Sequence, residues 1–138
     1  MQYDNIIYCG SLYAGGILGF NFIKKNFDKI KDKKIITVAV GATIKKDEAV
    51  EEIKNKNFTP EMKDKVKLFL LRGGLNYKKM HIFDRFLMFM LINSIKRQKK
   101  DQTDIEAKAM VATYGKNVDF TDEKSIKPII DCINNKDN

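Results

Sequence analysis

Three apolar runs divide an otherwise charged chain: Ile6 to Cys9, Ile35 to Val40 and Val66 to Leu71. The first two are β-branched, aromatic or small, with no polar residue alternating, which predicts strands buried on both faces of a parallel sheet. Between them Phe20, Ile23, Phe27 and Ile30 recur at helical spacing, so a helix is expected from about Ile17 to Ile30, followed by a polar turn at Asp32-Lys33-Lys34. Strand, helix and strand at this spacing form a right-handed parallel unit. A charged helix follows over Asp47 to Lys54 with Ala49, Val50 and Ile53 inward, and Thr59-Pro60-Glu61 supplies an N-cap, a proline at N1 and a first-turn carboxylate for a short helical turn before the third strand.

Downstream, Asn76 to Ile82 reads as an irregular connection leading into a helix over Phe83 to Arg97. Its apolar residues point in nearly every direction. Such a helix is buried on all sides, meets a partner or lies in a membrane interface, and the cluster Lys96-Arg97-Gln98-Lys99-Lys100 favours the last two. A further helix covers Asp104 to Thr113, ended by Gly115, and Val118 to Phe120 is short and extended. The last helix carries Ile126, Ile129, Ile130 and Ile133 on one face, with Ser125 as its N-cap because Pro128 fits only near a first turn.

The first strand ends in Gly10-Ser11-Leu12-Tyr13-Ala14-Gly15-Gly16 and the second in Gly41-Ala42-Thr43-Ile44. In these loops the glycines allow close approach of backbone to a flat ligand, Ser11 offers a hydroxyl and Tyr13 a ring face. The plain alternative for the first loop is a tight strand-to-helix turn. Delivery of two small-residue loops to one sheet edge is the stronger sign of a site, since ligands of open α/β sheets sit outside the carboxyl ends of strands.

Composition narrows the rest. The 138 residues fit one domain, 1–138, large enough for a core without disulfides or metal. Cys9 and Cys132 lie in apolar segments and read as buried thiols in a reducing, cytoplasmic setting. The longest apolar run, Phe86 to Ile92, falls far short of the ~20 residues that span a bilayer, and no export signal opens the chain. A net charge of +8 admits nucleic acid, an anionic membrane or an acidic partner, but the cations are mostly scattered lysines with three arginines, which counts against base readout. His81 stands alone and reads as structural or solvated. Nothing argues for a hydrolase. Asp84-Arg85 reads as a pair at a helix start, and Asp119, Asp122 and Glu123 read as caps and solvated carboxylates in preference to a metal cluster.

Tyr3-Asp4-Asn5-Ile6-Ile7-Tyr8 with Gly10 to Gly15, Leu70-Leu71-Arg72-Gly73-Gly74-Leu75-Asn76-Tyr77, Phe83-Asp84-Arg85 and Tyr114-Gly115-Lys116-Asn117-Val118-Asp119-Phe120 together resemble the flavodoxin-domain family that includes menaquinone-dependent protoporphyrinogen oxidase. The resemblance covers nearly the whole chain. It implies a flavodoxin-like three-layer α/β sandwich with a parallel sheet that binds FMN, the loops Ser11 to Gly16 and Gly41 to Ile44 flanking the flavin ring. Arg72 to Tyr77, with Gly73 and Gly74, then begins the family's inserted segment near the flavin and any partner. Electron transfer or an FMN-dependent oxidoreductase reaction follows, with Tyr13 stacked near the ring, no side chain required as acid or base, and a redox partner or a quinone- or porphyrin-type substrate.

The chain departs from the family at its start. A strand, a Ser/Thr/Gly-rich phosphate loop, a helix and a second strand are expected ahead of Tyr3, so the expectation is an N-terminally truncated domain holding strands 3-4-5 of the order 2-1-3-4-5. FMN then binds weakly or not at all unless the phosphate loop is supplied. The Ile6 to Cys9 strand becomes a bare edge that invites a second copy or a partner chain. The segment 83–100 suggests peripheral contact with an anionic membrane at its inner face. The rival readings are a flavin-free remnant serving as a binding or structural module and, further off, a basic nucleic-acid-binding protein.

Overall fold

The computed structural model describes residues 3–42, 46–98 and 104–134. Its centre is a sheet in the order β2-β1-β3-β4, formed by β1 (Asn5–Tyr13), β2 (Gly16–Ile17), β3 (Lys34–Gly41) and β4 (Val66–Arg72). The three long strands are parallel, in register from Asn5 opposite Lys34 to Ser11 opposite Val40, and from Ile35 opposite Val66 to Gly41 opposite Arg72. Their β-branched content suits this arrangement, and their carboxyl ends finish together at Tyr13, Gly41 and Arg72.

Side-chain alternation assigns the two faces. Ile6, Tyr8 and Leu12 of β1, Ile35 and Ala39 of β3, and Val66, Leu68 and Leu70 of β4 pack with α1 (Asn21–Ile30), α2 (Lys46–Asn57) and α3 (Pro60–Lys65). Phe20 anchors this layer, edge-on to Tyr8 and stacked on Phe58. The expected inward residues Ile23, Phe27, Ile30 and Ile53 are all there, and Thr59 caps α3 by accepting from Met62 N at 3.4 Å. On the opposite face, Ile36, Val38, Phe69 and Leu71 meet Ile129, Cys132 and Ile133 of the C-terminal helix, α6 (Lys127–Asn134). Helices therefore lie on both faces of a mostly parallel sheet.

Coverage of the second face stops at β3. The outward residues of β1, Ile7, Cys9, Ser11 and Tyr13, are exposed, because α6 lies over β3 and β4. The expectation that the first strand is buried on both faces is therefore corrected, and so is that of a buried Cys9 thiol: Cys9 is exposed and Cys132 half-buried. Among the described residues nothing pairs with the outer edge of β1 from Asn5 to Gly10.

The stretch after Cys9 also differs from the expected loop. Gly10 to Tyr13 continue β1, and Tyr13 pairs with Gly16 across a two-residue turn in which Ala14 and Gly15 have φ of 47° and 77°, the pattern of a type I′ hairpin. Hairpin curvature wins here over an immediate helix, so α1 begins at Asn21 and not near Ile17. Gly19 makes the second bend at φ 76°, where a Cβ would collide with the Tyr8 hydroxyl. That hydroxyl donates to Leu18 O at 2.5 Å, which fixes the chain's return.

After β4 the chain leaves the sheet. β5 (Gly74–Leu75) pairs antiparallel with β6 (Val118–Asp119), and between them stand α4 (Ile82–Arg97) and α5 (Ile105–Thr113). His81 caps α4, its Nδ1 accepting from Phe83 N at 3.3 Å. At the C-terminus a 3₁₀ turn, Glu123–Ile126, precedes α6, and Asp122 caps it by accepting from Lys124 N. Ser125 is therefore no N-cap, and the register of α6 buries Ile129 while leaving Ile126 and Ile130 exposed, so the expected four-isoleucine face is only half used.

Candidate functional site

A cavity of about 380 Å³ opens at the carboxyl ends of β1, β3 and β4, within the range of small-molecule sites. Its floor is Leu12 and Gly41, and one wall is the hairpin turn Ala14-Gly15 against Ala49, Glu52 and Ile53 of α2. A Cβ at Gly41 would meet Leu12 Cδ1 at 2.8 Å, so a larger residue there would have to displace the Leu12 side chain of the floor. The roof comes from the excursion after β4, with Leu75, Met88 of α4, and Ala109, Met110 and Thr113 of α5.

The turn is held by the last residues of α2. Asn57, buried, accepts from Ile17 N at 2.9 Å and donates to Gly15 O at 2.8 Å and Ile53 O at 2.9 Å, while Lys56 Nζ donates to Ala14 O. One amide thus satisfies backbone groups on both sides of Gly16. The roof is held by the β5–β6 pairing and by Tyr77 edge-on to Tyr114, ring centroids 5.6 Å apart. Burial pushes the Tyr77 phenol up. Asp119 of β6 accepts from Thr121 N at 3.0 Å, and hydrogen bonding from Thr121 holds its carboxyl below the ordinary range.

Arg72, at the end of β4, gives the cavity its cation. Its guanidinium lies 4.0 Å from the centroid of the Phe120 ring, and its Nε is buried with no hydrogen-bond partner. Among the described lining residues Arg72 is the one cation and Glu52 the one anion. A planar donor clamped on an aromatic ring in an apolar cavity is suited to an acceptor atom on a flat ligand.

The sequence-derived residues divide around this cavity. Leu12, Ala14, Gly15, Gly41 and Ala42 line it. Ser11 and Tyr13 lie on the uncovered face of β1, and the Tyr13 hydroxyl donates to Asp84 Oδ1 at 3.0 Å. Asp84 is thus engaged by Tyr13. Gly16 is in β2, Gly73 N donates to Gly41 O at 2.9 Å, and Gly74 pairs with Asp119, so these three build the rim and not the lining. Thr43 and Ile44 lie outside the described residues. Arg72 is expected from the resemblance to open the segment near the flavin, but its pairing with Phe120 and the methionines of the roof are not legible in the sequence. The juxtaposition of Arg72 with Phe120 depends on β5–β6 pairing, and no local pattern reports a contact across that distance in the chain.

The lining meets part of what the expected FMN requires. Leu12, Met88, Met110 and Phe120 offer apolar surface to a fused ring, and Arg72 brings a guanidinium whose Nε has no partner. A phosphate needs several converging N–H groups or cations. Among the described lining residues Arg72 is the one cation; the Thr113 hydroxyl is engaged by Ala109 O and Met110 O, and nearby Lys56 by Ala14 O.

In comparison with known sequences, a family model described as a flavodoxin domain matches residues 1–105, a span that holds β1 through α4. Neither the curated proteins nor the solved structures contain a match to the chain.

Proposed function

The chain belongs to the flavodoxin-domain family, and from that premise we propose that the cavity at the strand ends takes the isoalloxazine ring of FMN and that the protein serves in electron transfer or an FMN-dependent oxidation. The single observation that carries the reading is Arg72, a lining residue of an apolar cavity whose buried Nε has no acceptor. When bound, the flavin supplies the electron-accepting chemistry. The protein's own residues bind and shield: Leu12 and Gly41 provide a close floor, Met88 and Met110 exclude water from above, and the Arg72–Phe120 pair orients the ring's polar edge. The electron partner is a redox protein or a quinone- or porphyrin-type molecule that meets the ring at the open side of the cavity.

A second reading, a flavin-free binding module, is favoured by the lone cation in the described lining, which makes a poor phosphate cradle. Fluorescence titration with FMN and with riboflavin separates the two. Quenching by both at comparable affinity is expected, because the ring and not the phosphate makes the contacts. A large preference for FMN would mean that a phosphate site exists beyond the lining described above, and the absence of quenching by either would leave the flavin-free module.

A further inference from the structure

The outward face of α4 is unlike any other described surface of the molecule. Ile82, Phe83, Phe86, Phe89 and Met90 recur at helical spacing along one stripe and are 51% to 78% exposed, while Ile92 and Ile95 on the inner side are buried and hold the helix down. Contiguous bulky apolar surface of this kind marks an interaction site. Basic residues bracket it, with Lys78 and Lys79 just before the helix, Arg85 within it, and Lys96 and Arg97 in its last turn, all exposed. Lys99 and Lys100, which complete the basic cluster in the sequence, lie outside the described residues. The one acid between Lys78 and Arg97 is Asp84, whose carboxylate accepts the Tyr13 hydrogen bond.

We infer that this face docks on a membrane surface rich in anionic lipid, α4 lying in the plane of the interface with its aromatic stripe among the acyl chains and its flanking cations at the headgroups. The charge pattern selects this occupant. A second copy would bring the same cations against themselves, and a neutral apolar groove would gain nothing from them. An anionic bilayer answers both features, through apolar burial and attraction at each cation. No described helix is long and apolar enough to cross a membrane, so the contact is peripheral. Electrons would then be exchanged at a surface where quinone-type carriers are soluble.

The test is co-sedimentation of the full chain with phosphatidylcholine vesicles, with and without phosphatidylglycerol. Binding is expected only to the anionic vesicles and is reversed by molar salt. Lys96→Glu with Arg97→Glu should weaken it by roughly tenfold or more. Phe86→Asp with Phe89→Asp should abolish it, and Phe22→Asp, which alters an equally exposed ring on α1, should leave it unchanged. Because the chain has no tryptophan, Phe89→Trp adds a single reporter whose emission should shift to the blue on anionic vesicles. Failure to bind them at low salt would overturn the inference, as would an indole emission that does not move. A lipid-free oligomer dissolved by the double change at Phe86 and Phe89 would also overturn it, by making a second copy the occupant.

Discussion

The Tyr13 hydroxyl donates to Asp84 Oδ1 at 3.0 Å, joining the last residue of β1 to the first turn of α4 across 71 positions of chain. Neither residue lines the cavity, yet the bond ties the helix that carries Met88 of the roof to the strand that carries Leu12 of the floor. Asp84 belongs in that first turn, where free N–H groups and the helix dipole favour a carboxylate.

That bond should be visible in alkaline titration. The hydrogen bond to Asp84, joined by desolvation and the nearby negative charge, raises the Tyr13 phenol above its ordinary 10.0. Because the folded-state value is raised, the contribution is fully present below about pH 10 and is lost as pH climbs through the raised value. Phenolate absorbance should show one late-titrating tyrosine fewer in Tyr13→Phe, and Asp84→Asn should bring that group back toward its ordinary range. Unchanged titration in both variants would mean that the pair is open in solution.

The three parallel strands and the inward faces of α1 and α2 were legible because each rests on local periodicity. The 13–16 stretch was not, since glycines after an apolar run suit a hairpin as well as a ligand loop, and the deciding partner, Asn57, lies 40 residues beyond Ile17 and 42 beyond Gly15. Tyr13 was expected beside a flavin ring but faces the uncovered side of the sheet, because extending β1 through position 13 fixes its side by alternation. The apolar girdle of α4 was legible as anomalous, though only the fold shows which part of it is outward.

Asn57 is expected to be among the most sensitive positions in the chain. Asn57→Leu keeps the branched shape, with bulkier methyl ends, but strips partners from Ile17 N, Gly15 O and Ile53 O. Two or more stranded backbone groups in a buried site amount to about 2–5 kcal/mol. Chemical denaturation should show a loss of that size, with Asn57→Asp recovering the acceptor but not the donor. A loss under about 1 kcal/mol would show that water replaces the amide.

Thr37 gives an expectation of opposite sign. It is fully buried in β3, and its Oγ1 has no hydrogen-bond partner. Thr37→Val exchanges the stranded hydroxyl for a methyl of similar shape, so stability should rise by about 1–2 kcal/mol. A lower melting temperature would show that the hydroxyl has an acceptor in solution.

Arg72 should separate stability from binding. With its Nε buried and unpaired, the guanidinium is a local cost of about 1–3 kcal/mol in the ligand-free protein, offset in part by the Phe120 contact, ~0.5–1 kcal/mol. Arg72→Met removes both, so the ligand-free variant should melt at the wild-type temperature or above it. The same change deletes the one cationic donor in the described lining, so flavin affinity should fall by about tenfold or more, as expected for a hydrogen bond to a charged group. Arg72→Lys keeps the charge but not the planar stack or the Nε position, and should bind only slightly better than Arg72→Met. The informative outcome is the combination: a functional residue is one whose removal stabilises or spares the fold while weakening the ligand. If Arg72→Met instead lowers stability by several kcal/mol and leaves the titration curve unmoved, the residue is a strut between β4 and Phe120, and the cavity's ligand is recognised by other groups.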